Sequence, residues 1–433
     1  MFSRLSADQD DQAPVGANKP GRGAHETGAD TPQVVQEGVL ARTSLCHWGD
    51  VQISLDDILR VTLWLLHKIR YVKKSLNDSP GLASAIMMLT FHDLIVGPAG
   101  TTVHLHSMLE ASRYFLKTEP RDTLYAVLGL WSRNKDPELC AQARKTLLKV
   151  DYTKPVADLM QDASRYSFIE LGHMMVYRRC LGDEEQNLAS WAIRAETPSA
   201  MAKENSNLPS FTCACRGLEP AFQFHDTSYG NEVLLTQGFF VDSVADITVS
   251  CDGMFKRLEN YYLWLIQAKH AVQRNYERRG EQLSEQIDFR MAWTLAAGEG
   301  PFENPAKPTD FKIFTAYIRD CETFLVNETI REQRNIEFQS NVQDDTMGSL
   351  RCSVQRRFFM TSEGLMGLGP GSMRIDDHIV IIRGAIRPVV LRKTTEGSRY
   401  ILVGEAYVYG IMDGEAVEEW KAQGEIEQLF PLV

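Results

Sequence analysis

The chain has 433 residues, of which 44% are apolar and 24% charged, with a formal net charge of -11. That is the profile of two or three domains with hydrophobic cores. The acidic balance argues against a broad nucleic-acid or acidic-membrane surface, which would leave a basic footprint. Eight cysteines are scattered along the chain without C-x-x-C spacing, so a finger-type zinc site is not supported. The close pair Cys213-Ala-Cys215 reads as two ordinary thiols, with a metal or redox pair as the sharper alternative. Sparse cysteine use fits a reducing compartment and sets a cytoplasmic location as the expectation. The N-terminus carries no apolar signal core, and the longest apolar runs, such as residues 61–66, are well short of the ~20 residues of a membrane span.

Residues 1–31 are rich in Asp, Gln, Gly, Ala and Pro without apolar periodicity, and are expected to be disordered. Val34, Val35, Val39 and Leu40 give a short helical face, followed by a strand over 43–47. Ser54, with Asp57 three residues on, is placed to cap a helix whose apolar positions include Leu55, Ile58, Leu59, Thr62, Leu65, Leu66 and Ile69. Further helices are expected over 83–94, 104–116 and 120–130, and from Pro155, with Val156, Leu159, Met160 and Ala163 on one face. The region 32–185 is therefore read as helical. Residues 186–340 are read as mixed, with a strand over 234–249 and helices over 261–276, 282–297 and 311–325. A connection at 340–350 leads to a β-rich module over 350–433, with buried alternating positions Ile379, Val380, Ile382, Val389, Leu391, Ile401, Val403 and Val408.

Four blocks in this order resemble fungal heterokaryon-incompatibility (HET-domain) proteins. Gln36 and Glu37, followed by residues 39–42, are similar to a Trp-x-x-Gln-Glu helix of the HET domain. Glu119-Pro120-Arg121-Asp122-Thr123-Leu124-Tyr125 and the residues to Leu130 resemble a D-P-R-D-K-I-Y-A-L-L-G-L run, with Val150 to Lys154 following at a similar distance. Leu188-Ala189-Ser190-Trp191 and later 288–298 form the third block. The fourth is the run from Arg356 and Arg357 to Gly414, with Gly367, Gly369, Gly404, Glu405 and Asp413. The family's Leu-Ser-Tyr-x-Trp-Gly and Ile-Asp-x-x-Cys-Ile-Asn-Gln motifs are not found, so the resemblance implies a HET-type chain lacking the front of its signalling domain.

The resemblance implies an α+β fold: a mainly helical region containing the remnant of a TIR-like α/β HET domain, then a mixed region and the β-rich module. It implies non-self recognition and programmed cell death through association with other proteins, another HET-type chain among them; the charge balance and short apolar runs set no nucleic acid and no membrane span as the expectation. Glu37 matches the position of a TIR-type catalytic glutamate, which makes residual NAD cleavage the rival reading. An accessory role in a biosynthetic or stress pathway is the third. No cofactor or metal site is legible. Arg121 and Asp122 are candidates for a partner clamp or, structurally, for an ion pair and a cap. The glycines at 364, 367, 369 and 371 precede a strand rather than a helix, so they are expected to serve tight turns rather than a phosphate. Asp413 is expected to cap or turn the chain before a helix at 415–420.

Overall fold

The computed structural model describes residues 5–7, 44–68, 104–112, 119–131, 148–172, 188–193, 212–225, 233–251, 258–283, 286–299, 352–424 and 426–433, with isolated positions between these segments. The chain divides into two compact units: residues 1–170 with 195–201, and residues 171–194 with 202–433.

The first unit holds a small antiparallel sheet, β1 (Leu5–Ala7), β2 (Ser44–Trp48) and β3 (Val51–Ser54), in that order. β1 is a correction to the expectation that 1–31 lacks structure throughout: Leu5 pairs with Cys46 and Ala7 with Ser44. A strand added to a sheet edge takes its hydrogen bonds from the backbone and needs no apolar periodicity of its own. The remainder of 1–31 lies outside the described residues.

Ser54 ends β3 and immediately precedes helix α1 (Leu55–Lys68), whose Leu55, Leu59 and Thr62 are buried. Helices α2 (Leu105–Ser112), α3 (Asp122–Trp131) and α4 (Val156–Leu171) follow. Glu170, late in α4, joins two of them. One carboxylate oxygen accepts the Leu105 N–H at 2.7 Å, at the start of α2, where unpaired donors and the helix dipole favour an anion. The other accepts the Trp131 indole N–H at 3.1 Å. Leu159, Met160 and Ala163 are fully buried and Val156 only partly.

The second unit is built on β5 (Val233–Ile247). Its first half pairs with β4 (Phe222–His225) and with β12 (Gln428–Leu432). Its middle pairs with β8 (His378–Ile382) and its end with β6 (Arg356–Thr361). β8 continues to β9 (Val389–Lys393), β9 to β10 (Tyr400–Glu405), and β10 runs parallel to β12. The pairings β5–β12–β10–β9–β8–β5 therefore close into a ring, which removes those sheet edges. From β6 the sheet extends through β7 (Met366–Pro370) to β11 (Tyr407–Val408). Register shifts at Phe240/Asp242 and Val244/Asp246 act as bulges, bending β5 so that one strand serves both parts.

Helices α5 (Leu258–Arg279) and α6 (Ile287–Leu295) bury Tyr262, Trp264, Leu265, Met291 and Leu295 in one core with Phe358, Met360 and Leu368 of β6 and β7. Helix α7 (Glu415–Gln423) places Ala416 and Val417 in a second core with Phe239, Ile379, Ile381, Val390 and Val403. The expected alternation of buried positions in β8 and β9 is corrected here. Ile379 to Ile382 and Val389 to Leu391 are buried in unbroken runs, and Ile401 is only partly buried. A strand covered on both faces has no solvent side on which to place polar residues. No helix among the described residues is long and apolar enough to cross a membrane.

Candidate functional site

The described candidate residues fall into two polar clusters, one in each unit. Gln36 and Glu37 lie outside the described residues.

In the first unit, the segment before α3 and the segment before α4 are bound to each other. Arg121 pairs with Glu119 at 2.7 Å and donates its Nε–H to the Lys154 carbonyl at 2.8 Å. Asp122, in the first turn of α3, accepts the Tyr152 hydroxyl at 2.8 Å. The Tyr125 hydroxyl donates to the Asp151 carbonyl and accepts the Asp151 N–H, both at 2.9 Å. The Tyr125 and Tyr152 rings meet edge to face at 4.9 Å. Two blocks some thirty residues apart in sequence thus form one clamp, with Lys154 also bridging to Asp162 of α4.

The electrostatics follow from these bonds. Hydrogen bonds from Arg121 hold the Glu119 carboxyl below its usual range, and those from Thr153 do the same for Asp151. The hydrogen bond to Asp122, then burial, pushes the Tyr152 hydroxyl up to about 12. A hydroxyl whose pKa is raised on folding contributes stability below its unfolded pKa of ~10 and loses it as pH rises through about 12. The expected result is that Tyr152→Phe flattens the loss of first-unit stability between pH 10 and 12, measured by urea denaturation across that range. Tyr125→Phe removes a donor and an acceptor from two backbone groups together. It should cost about 1–2 kcal/mol in the same assay at pH 7.

In the second unit, the candidates hold the barrel together. Arg387 pairs with Glu405 at 2.5 Å and donates to the Leu208 carbonyl at 3.0 Å. Arg356 donates to the Glu405 carbonyl at 2.9 Å. Arg357 bridges the Gly371 and Thr248 carbonyls at 2.7 and 3.1 Å. Trp191 is fully buried beside Phe224, with ring centroids 5.4 Å apart. Ser190 donates its N–H to the Val433 carbonyl at 2.9 Å, and its hydroxyl accepts the Leu402 N–H at 2.8 Å.

The glycine reading requires revision at two positions. Gly364 has φ +90, as a tight turn demands. Gly367 and Gly369 lie inside β7, and their role is close approach. A Cβ on Gly367 would sit 2.3 Å from the Tyr407 carbonyl oxygen, and one on Gly369 would sit 2.3 Å from the Met373 methyl. Gly404, at a register shift of β10, has φ +150 and faces the Pro370 ring. The residue preceding α7 is Gly414, at φ +98 and without a side-chain cap. Asp413 instead donates its N–H to the Glu415 carboxylate at 2.7 Å.

Sequence reasoning missed three buried aspartates. Asp242 accepts the Ser243 and Glu363 N–H groups at 2.7 and 2.8 Å. Asp246 is gripped by Arg274 and Arg278 of α5, each at 2.9 Å. Asp377 is held by both arms of Arg392 at 2.8 Å. Most of their partners are far away in sequence, such as Glu363, Arg274, Arg278 and Arg392; only an acidic residue within an apolar strand run could have flagged the first two. No group of three or more His, Cys, Asp or Glu is placed to hold a metal among the described residues.

These bonds hold the fold of each unit in shape. Residues 330–425 match the Het-6 beta-barrel domain, a stretch that includes β6 to β11 and α7. Over 71 residues the chain is 38% identical to heterokaryon incompatibility protein 6, OR allele, of Neurospora crassa. That alignment covers 16% of this chain and 10% of the relative's length. The matched domain lies within the second unit, and the chain spans a small part of the length of that fungal relative. No solved structure matches the chain.

Proposed function

We propose that this chain takes part in fungal non-self recognition as a HET-type protein, by associating with another protein, itself a HET-type chain, in a response that ends in programmed cell death. The observation that carries this reading is the match of residues 330–425 to the Het-6 beta-barrel domain, over the same stretch that supplies most of the barrel. The first unit supports it through the resemblance of its clamp residues, Arg121, Asp122 and Tyr125, to a HET-type motif. Their side chains are spent on internal bonds, which suits a scaffold presenting a fixed surface. The cytoplasm is the compartment in which such a response would begin.

The test is co-purification from fungal hyphae under mild cross-linking, with NAD measured in the same cultures. The expected result is recovery of a HET-type chain with the wild type, with NAD unchanged by expression. Loss of NAD that disappears in Glu37→Ala would overturn association in favour of catalysis.

A further inference from the structure

Cys213 and Cys215 stand one residue apart at a turn of the second unit, with their sulfurs 4.0 Å from each other. Cys213 is half-buried and Cys215 buried. The turn is firmly held: the Arg216 N–H donates to the Cys213 carbonyl at 3.2 Å and the Leu218 N–H to the Cys215 carbonyl at 2.9 Å. Ala214, between the cysteines, donates its N–H to the Ile386 carbonyl at 2.8 Å. A disulfide requires an S–S distance of about 2.05 Å and a Cα separation of about 4.4–6.8 Å. Two residues joined through one intervening residue at a turn lie in that range of separation. Closing the sulfur gap of about 2 Å is then a matter of side-chain rotation, for which the half-buried Cys213 has the room.

We propose that Cys213 and Cys215 form a reversible dithiol–disulfide site, oxidised by a low-molecular-weight disulfide of the glutathione type. Cys213, the more accessible sulfur, attacks as thiolate. It breaks the S–S bond of the small disulfide, and one small thiol leaves, taking up a proton. The Cys215 thiol then gives up its proton and its sulfur attacks the Cys213 sulfur, expelling the second small thiol, which takes up that proton. Two protein thiols lose two electrons, and one small disulfide becomes two thiols. Burial pushes the Cys215 thiol up to about 11, and the neighbouring Cys213 adds to the shift, so the second step is the slower.

The site bears on the barrel's final helix. Cys215 packs in the same core as Ala416 and Val417 of α7. Arg216, its neighbour, lies so close to Gly414 that a Cβ there would be 2.8 Å from the Arg216 Cβ. Oxidation therefore acts on the packing beneath the start of α7, independently of whether the proposed association holds.

The experiment equilibrates the purified full chain in glutathione buffers from fully reduced to strongly oxidised, quenches with acid, then unfolds, alkylates and digests with trypsin. The tryptic segment 204–216 carries both cysteines and no other. The expected result in oxidised buffer is that this segment loses two hydrogens and both alkyl groups, with far-UV circular dichroism unchanged, and regains the thiols with dithiothreitol. Cys215→Ser should stop at a glutathione adduct on Cys213. Full alkylation at every ratio overturns the proposal. So does a wild-type adduct that never resolves, a disulfide to another segment, or a bond that forms only after the folded signal is lost.

Discussion

Replacing Gly238 with alanine is expected to destabilise the second unit by about 3 kcal/mol or more, at the upper end of what overpacking costs. Gly238 is the point on β5 where β12 and β8 both pair with it, so the barrel closes there. An alanine Cβ would lie 2.1 Å from the Ile381 carbonyl oxygen and 3.0 Å from two further backbone atoms of 381 and 382. Nothing in that contact is a flexible side chain. Relief requires β8 to move away from β5 and so opens the ring. Gly364→Ala is the control. The atom it would meet is the guanidinium of Arg279, which can swing aside, leaving mainly the strain of φ +90. That variant should lose about 1 kcal/mol. Urea denaturation followed by circular dichroism should separate the two clearly. A Gly238→Ala midpoint shift no larger than that of Gly364→Ala would mean that the strands do not meet as described.

Arg392→Leu is expected to cost about 3–5 kcal/mol, because it leaves a charged carboxylate alone in the interior. Asp377 is 2% exposed and takes both Arg392 hydrogen bonds along with the Arg374 N–H at 2.7 Å. Arg392 also donates to the Ser372 carbonyl at 2.8 Å, and the backbone of Asp377 accepts the Val244 N–H at 2.9 Å. One ion pair thus ties together the turn before β8, strand β9 and the bulged end of β5. Arg392→Lys keeps the charge but cannot offer the paired donors, and should fall between wild type and Arg392→Leu. Combining Asp377→Asn with Arg392→Leu should recover part of the loss, since no unpaired charge then remains. A double-mutant cycle reads that coupling directly. Additive losses would contradict it.

What the sequence disclosed follows from how local each signal is. The helices of the first unit announce themselves through apolar spacing and terminal residues, and α3 and α4 lie where Pro120-Arg121-Asp122 and Pro155 place them. The strands at 233–247 and beyond 356 are legible from β-branched and aromatic runs between turns. The role of β5 as the hub of the barrel is not legible, because pairing over more than a hundred residues leaves no trace in either partner. For the same reason, the apolar runs of β8 and β9 read as alternating, although both of their faces are buried. Gly238 could not be told from any other strand glycine, since its constraint comes from a carbonyl at position 381. Of the candidate residues, the motif resemblance drew attention to Arg121, Tyr125, Arg357 and Glu405. The bonds they make become visible only when the chain is folded, because Asp151, Lys154, Gly371 and Arg387 are brought to them by other elements.

The most direct test of the account is the viability of fused hyphal cells that express the full chain, paired with strains differing at incompatibility loci, and scored by uptake of a membrane-impermeant dye. The account predicts death in a subset of pairings with the wild type. It also predicts reduced death in those same pairings with Gly238→Ala, because the proposed association depends on an intact barrel, and death undiminished with Glu37→Ala. Death that persists with Gly238→Ala and vanishes with Glu37→Ala would contradict the account and place the activity in the first unit instead.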